Sequence, residues 1–138
     1  MSDYSWSICE PDQPKVIEKG SIRKEEILET FENFAWIDRL RKIAGMKDDD
    51  VCFSPSLGFK NTETGQGVEF SIVGTEEEYE FYIFYQRPAT LKTFGLFKRQ
   101  LKNHLSDITG QTKEDAVKFL NAFLNNDFSY MEAAMKKK

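Results

Sequence analysis

Between Tyr79 and Tyr85, six of seven residues are apolar or aromatic, and they fall on both parities of an extended chain. Tyr79, Phe81, Ile83 and Tyr85 share one face of such a strand, while Tyr82 and Phe84 take the other. A strand that is apolar on both sides belongs near the middle of a sheet, with cover on each face or one face left for a partner. The preceding residues supply neighbours for it. Val51, Phe53, Leu57 and Phe59 share one parity against Ser54, Ser56, Gly58 and Lys60, and Val68, Phe70 and Ile72 alternate with Glu69 and Ser71. Residues 61–66 and 74–77 read as the two turns of an antiparallel meander. Pro55 cannot donate to a ladder and predicts an edge position or a bulge. Pro88 ends the third strand, and residues 91–95 would add a fourth.

Helical periodicity flanks this region. Ser21 is a candidate N-cap, followed by Lys24, Glu25, Glu26, Ile27, Leu28 and Phe31. At 100° per residue, Ile27, Leu28, Phe31, Phe34 and Ala35 lie opposite Trp36, Leu40, Ile43 and Ala44, so the spacing predicts a break near Ala35 and Trp36. Two short helices then end at Gly45. After Pro88, Phe97, Leu101, Leu105 and Ile108 recur as an amphipathic helix closed by Gly110, with Lys98, Arg99, Lys102 and Asn103 on its outer side. Thr112 and Asp115 read as a capping box opening a helix with Ala116, Val117, Leu120, Phe123 and Leu124 on its buried stripe. Asn125, Asn126 and Asp127 interrupt it before a last segment with Phe128, Met131 and Met135, and Lys136 to Lys138 suit a helix C-terminus.

Residues 1–20, with Pro11, Pro14 and Gly20, read as an irregular arm carrying at most a short edge strand. Residues 21–138 read as a single α+β domain: N-terminal helices, an antiparallel meander of three or four strands, then C-terminal helices packed on the sheet. This order resembles in outline the cystatin-like sheet-and-helix folds and the acidic type III secretion chaperones. The chaperone pattern requires two further strands after a middle helix, and the resemblance in topology implies no function.

A chain of 138 residues buries about two thirds of its unfolded surface on folding and needs no staples. An apolar share of 40%, with 12 Phe, excludes intrinsic disorder. There is no run of about 18 apolar residues, and the first residues lack the basic flank and apolar stretch of a signal peptide. A cytoplasmic protein without membrane association is expected. Cys9 and Cys52 read as free thiols of a reducing compartment, because small secreted scaffolds carry more cysteines at closer spacing.

The net charge of −4 is unevenly spread: residues 1–50 carry −4, 51–90 carry −4, and 91–138 carry +4. This acidic balance argues against general nucleic-acid binding. His104 is the only histidine, which excludes a multi-His zinc site; with no Cys or Ser nucleophile or carboxylate orienter at an identifiable spacing, it reads as a boundary residue of the 97–108 helix and not as part of a triad. Asp48, Asp49 and Asp50 lack the alternation of a calcium loop and read as a solvated linker. Gly65 and Gly67 separate two strands and therefore cradle no phosphate at a helix start. No metal and no cofactor are expected.

Three candidate surfaces remain. Arg87, Lys92, Lys98, Arg99 and Lys102, with Phe94 and Phe97 between them, could bind a polyanion or, better, an acidic protein surface. Glu76, Glu77, Glu78 and Glu80 form an acidic patch. Tyr82 and Phe84 are either covered core, a protein interface, or walls of a small-ligand pocket. The leading expectation is a non-enzymatic protein-interaction module with a protein partner, such as an inhibitor, an immunity or antitoxin-type protein, or an adaptor. The alternatives are a binder of small apolar ligands and a polyanion binder acting through residues 87–102.

Overall fold

Tyr4, Trp6 and Ile8 alternate with Ser5 and Ser7, and in the computed structural model, which describes residues 4–87 and 104–136, this stretch is a strand. Strand β1 (Tyr4–Cys9) turns back into β2 (Ile17–Ile22), followed by helices α1 (Lys24–Asn33) and α2 (Trp36–Ala44) and a 3-10 turn over Asp48–Asp50. Strands β3 (Ser56–Asn61), β4 (Gly67–Gly74), β5 (Tyr79–Arg87) and β6 (His104–Gln111) precede helices α3 (Lys113–Leu124) and α4 (Phe128–Lys136). The strands form one sheet in the order β2-β1-β3-β4-β5-β6, and every neighbouring pair is antiparallel. The fold is α+β, but strands open it and the sheet has six of them.

Residues opposite one another in an antiparallel pair share a face. The register therefore assigns Tyr4, Ile8, Leu57, Phe59, Val68, Phe70, Ile72, Phe81, Ile83, Tyr85 and Ile108 to an inner face, where all are buried. Buried residues of all four helices join the same cluster. At its centre the Phe31 ring lies 5.1 Å from Phe70 and 5.2 Å from Trp36, and Trp36 lies 5.0 Å from Phe81. Such pairs add about 0.5–1.5 kcal/mol each beyond area burial. The expected helix break is present: the indole N–H of Trp36, the first residue of α2, donates to the Phe31 carbonyl at 3.1 Å and closes the corner.

Both margins of the sheet are bulged. On β2 the register skips Lys19 beside Gly20, whose φ is +93°, and on β6 it shifts at Thr109 and Gly110, where φ is +69°. Bulges of this kind twist an edge away from further strand pairing.

Several local expectations are corrected. Within the expected arm of residues 1–20, the described residues 4–20 are not irregular, because β1 lies inside the sheet and Pro11 and Pro14 occupy the turn before β2. Ser21 belongs to β2, and α1 is preceded by Arg23, which makes no side-chain cap. β3 begins at Ser56 and is interior, not an edge; Pro55 stands just before it, with its carbonyl accepting the Ile72 N–H at 3.1 Å, so its missing donor costs no ladder bond. Residues 104–111 form β6, not the end of a helix: Ile108 is buried opposite Ile83, whereas Leu105 is 61% exposed. Its helical spacing was a local pattern, overridden by pairing with β5. Residues 97–103 and the strand expected at 91–95 lie outside the described residues.

Other expectations hold. The Asn61 Oδ1 accepts from the Glu63 and Thr64 N–H groups at 2.9 and 3.1 Å, forming the turn into β4. Thr112 and Asp115 make the capping box, each side chain accepting the other's backbone N–H at 3.0 Å. Among the described residues no helix is long and apolar enough to cross a membrane.

Candidate functional site

The outer face of the sheet, opposite the helices, is built in rows fixed by the register. One row runs Ser7, Gly58, Glu69, Phe84 and Asp107 across β1, β3, β4, β5 and β6. On one side of it stand Cys9, Ser56, Ser71 and Tyr82, and on the other Ser5, Lys60, Gly67, Gln86 and Leu105. Small residues thus occupy β1 and β3, and aromatic ones β5. Ser56 and Ser71 are buried, with hydroxyl oxygens 2.6 Å apart. Because Ser56 donates to the Ser54 carbonyl at 2.8 Å, Ser71 is the donor between the two, and both groups are satisfied.

Glu69 lies at the middle of this face. Its side chain is half-buried, and among the described residues it has no hydrogen bond or ion pair. Burial pushes its carboxyl above the ordinary carboxylate range, since desolvation disfavours the charged form. Burial also pushes the Cys9 thiol up, with Glu69 and Glu18 adding to the effect. A thiol held protonated in this way is a poor nucleophile. Around Glu69 is an open depression of about 200 Å³, lined by Ser5, Ser7, Glu18, Lys60, Phe84 and Gln86 among others. A second cavity, of about 310 Å³, lies between β6, α3 and α4, but two of its polar groups are already engaged: Asp115 in the capping box and Gln111 with the Thr109 carbonyl.

The structure separates the residues singled out from sequence. Tyr82 and Phe84 are half-buried on the outer face. Arg87 shares the parity of inner-facing Tyr85 and turns toward the helices: it donates to Ser106 Oγ at 2.7 Å, pairs with Glu132 at 3.2 Å and covers the Tyr85 ring at 4.5 Å. Burial, with the Glu132 charge adding to it, pushes the Tyr85 hydroxyl up. Lys92, Phe94, Phe97, Lys98, Arg99 and Lys102 lie outside the described residues.

The acidic run is divided too. Glu76 accepts from Arg41 Nε at 3.1 Å through both oxygens, Glu77 and Glu78 are exposed, and Glu80 is half-buried on β5. Arg41 is one of three cations on α2 that reach loop or turn carboxylates, with Arg39 to Glu10 at 2.8 Å and Lys42 to Asp12 at 2.8 Å. The Lys42 contact holds the Asp12 carboxyl below its ordinary range. His104 stands opposite Arg87 on β6, and Asp48, Asp49 and Asp50 are exposed. Gly65, at φ +79°, serves the hairpin. Among the described residues no group of three or more His, Cys, Asp or Glu side chains is placed to hold a metal ion. Both cysteines are free, Cys9 buried and Cys52 exposed.

Glu69 was not among the sequence candidates. Alternating with Phe70, it reads as a solvent-facing residue, and only the interior position of β4 makes its face partly buried. No family model, no curated protein and no solved structure matches this chain.

Proposed function

We propose that this chain is a non-enzymatic protein-interaction module that docks a protein partner on the outer face of its sheet. One observation carries the reading: among the described residues all four helices place their buried residues against the inner face, while the outer face presents half-buried Tyr82 and Phe84 beside exposed Leu105. Aromatic residues gathered on an otherwise polar face are characteristic of interface centres. The bulged margins favour docking by face over strand addition.

The alternatives fit these observations less well. An apolar ligand behind Tyr82 and Phe84 would occupy about 200 Å³, below the roughly 300–1,000 Å³ of typical ligand pockets, among Ser5, Ser7, Glu18, Lys60 and Glu69. Between sheet and helices the centre is filled, with Leu57, Phe70 and Ile83 fully buried, and the cavity of about 310 Å³ at the β6, α3 and α4 margin has Asp115 and Gln111 already engaged. For a polyanion, Arg87 is already engaged with Glu132, and Glu69 and Asp107 on the outer face repel phosphate.

Immobilised wild type, Phe84→Ser and Tyr82→Ser, with Arg23→Ala as a surface control, test the proposal by capture from the native host and mass spectrometry. A protein enriched by wild type and the control but lost with either outer-face variant supports it, provided circular dichroism shows each variant folded. Identical captures by all four proteins would sink it.

A further inference from the structure

Glu69 is a half-buried carboxylate that no donor or cation of the described residues reaches. Buried charges are ordinarily paired, because an unpaired one loses hydration and gains nothing in return. Among the described residues the nearest cation on this face by register is Lys60, which is exposed, one row away and not ion-paired with Glu69. Glu18 and Asp107 add negative charge to the same surroundings.

The shape around the carboxylate is equally particular. Gly58 and Ser7 leave space on one side, and the Phe84 ring stands opposite on β5. The depression of about 200 Å³ corresponds to roughly seven water volumes at about 30 Å³ each, which suits one long side chain.

We propose that this depression receives a single arginine side chain of the docked protein partner, its guanidinium paired with the Glu69 carboxylate and its plane against the Phe84 ring. The inference rests on the docking reading and names the chemistry of the partner. A guanidinium combines the two contacts on offer, since it bonds a carboxylate through a two-pronged fork and lies flat on an aromatic face. An ammonium makes only a point contact with either. Binding gives Glu69 a counter-ion that none of the described residues supplies, and polar Ser5, Ser7 and Gln86 form the rim.

The test uses the full chain and four capped tripeptides: Ala-Arg-Ala, its lysine and norleucine analogues, and its citrulline analogue, which keeps the shape of arginine without the charge. In amide chemical-shift titrations, Ala-Arg-Ala is expected to give saturable shifts centred on Ser7, Gly58, Glu69 and Phe84. Citrulline, norleucine and lysine peptides should bind more weakly, the first two by roughly ten-fold or more, as should the arginine peptide with a Glu69→Gln variant. Shifts that are absent, centred elsewhere, or unchanged with citrulline or in Glu69→Gln overturn the proposal, and equal binding of the lysine peptide overturns the arginine assignment. Partner capture separates this idea from the one beneath it. A partner lost with Phe84→Ser but held equally by Glu69→Gln removes the arginine receptor and leaves the docking face standing, whereas a capture indifferent to both removes the two together.

Discussion

Gly58 and Glu69 face each other across β3 and β4, so that a Cβ built on the glycine would stand 3.9 Å from the Glu69 Cγ and 3.2 Å from the Ser7 Oγ. The room beside the carboxylate is thus the room of a missing side chain. Gly58→Ala should fold normally, with stability within about 1 kcal/mol of wild type, because the Ser7 hydroxyl can turn aside and alanine restricts the unfolded chain. Its response to the arginine tripeptide should weaken several-fold. Thermal melting and the shift titration check the two halves, and an undiminished response would show that this space is not used.

The raised Glu69 carboxyl has a definite sign in stability. Between the ordinary unfolded value, about 4.3, and the higher folded one, the native protein holds more proton than the unfolded chain, so stability falls as pH rises through that window. Above the window the penalty is constant. Glu69→Gln escapes it and should be the more stable protein at pH 7, with the difference closing as the pH falls below 4. Urea denaturation across pH 3.5–8 measures this, and a wild type more stable than the variant at pH 7 would mean that the free protein already stabilises the charge.

Two ion pairs of different surroundings should differ in worth. Arg39 bonds Glu10 through two nitrogens at 2.9 and 2.8 Å, each side chain 21% exposed, and its guanidinium lies 3.8 Å from the Phe34 ring centre. Arg23 meets Glu26 at 3.2 Å in an open position. Arg39→Ala should cost about 2 kcal/mol and Arg23→Ala less than about 0.5 kcal/mol. Double-mutant cycles with Glu10→Ala and Glu26→Ala read the coupling directly, and comparable values for the two pairs would contradict the distinction.

Gly20 and Gly74 both hold positive φ, at +93° and +121°, yet they differ in what surrounds them. Nothing lies within 4 Å of a Cβ on Gly20, whereas one on Gly74 would overlap the Glu78 carbonyl oxygen and come 2.8 Å from the Tyr79 Cα. Gly20→Ala should cost about 1 kcal/mol from conformation alone. Gly74→Ala should cost about 3 kcal/mol or more, because strain and overlap add. Equal losses in denaturant midpoint would count against this account.

Where the sequence was legible, the signal was local chemistry. The capping box of Thr112 and Asp115, the turn at Asn61 and the corner at Trp36 each follow from residues within one or two turns of chain. β1 is legible in the alternation of Tyr4, Trp6 and Ile8, but Pro11 and Pro14 just after it carry the local signal of an irregular segment. β6 was not, since Leu105 and Ile108 satisfy a helical spacing and only the ladder with β5, a long-range partner, decides otherwise. The same holds for the site. Parity placed Tyr82 and Phe84 on their own face, while the state of Glu69 depends on β4 being interior and on the glycine of a different strand.

The interior place of β1 also sets an order of events during synthesis. Its partner β2 is complete at Ile22, but its other partner, β3, ends at Asn61, about forty residues later. At about 5–20 residues per second the gap lasts roughly 2–8 s. Through that interval β1 has at most one of its two partners, so any hairpin it forms with β2 keeps an open edge at Tyr4–Cys9 until β3 arrives.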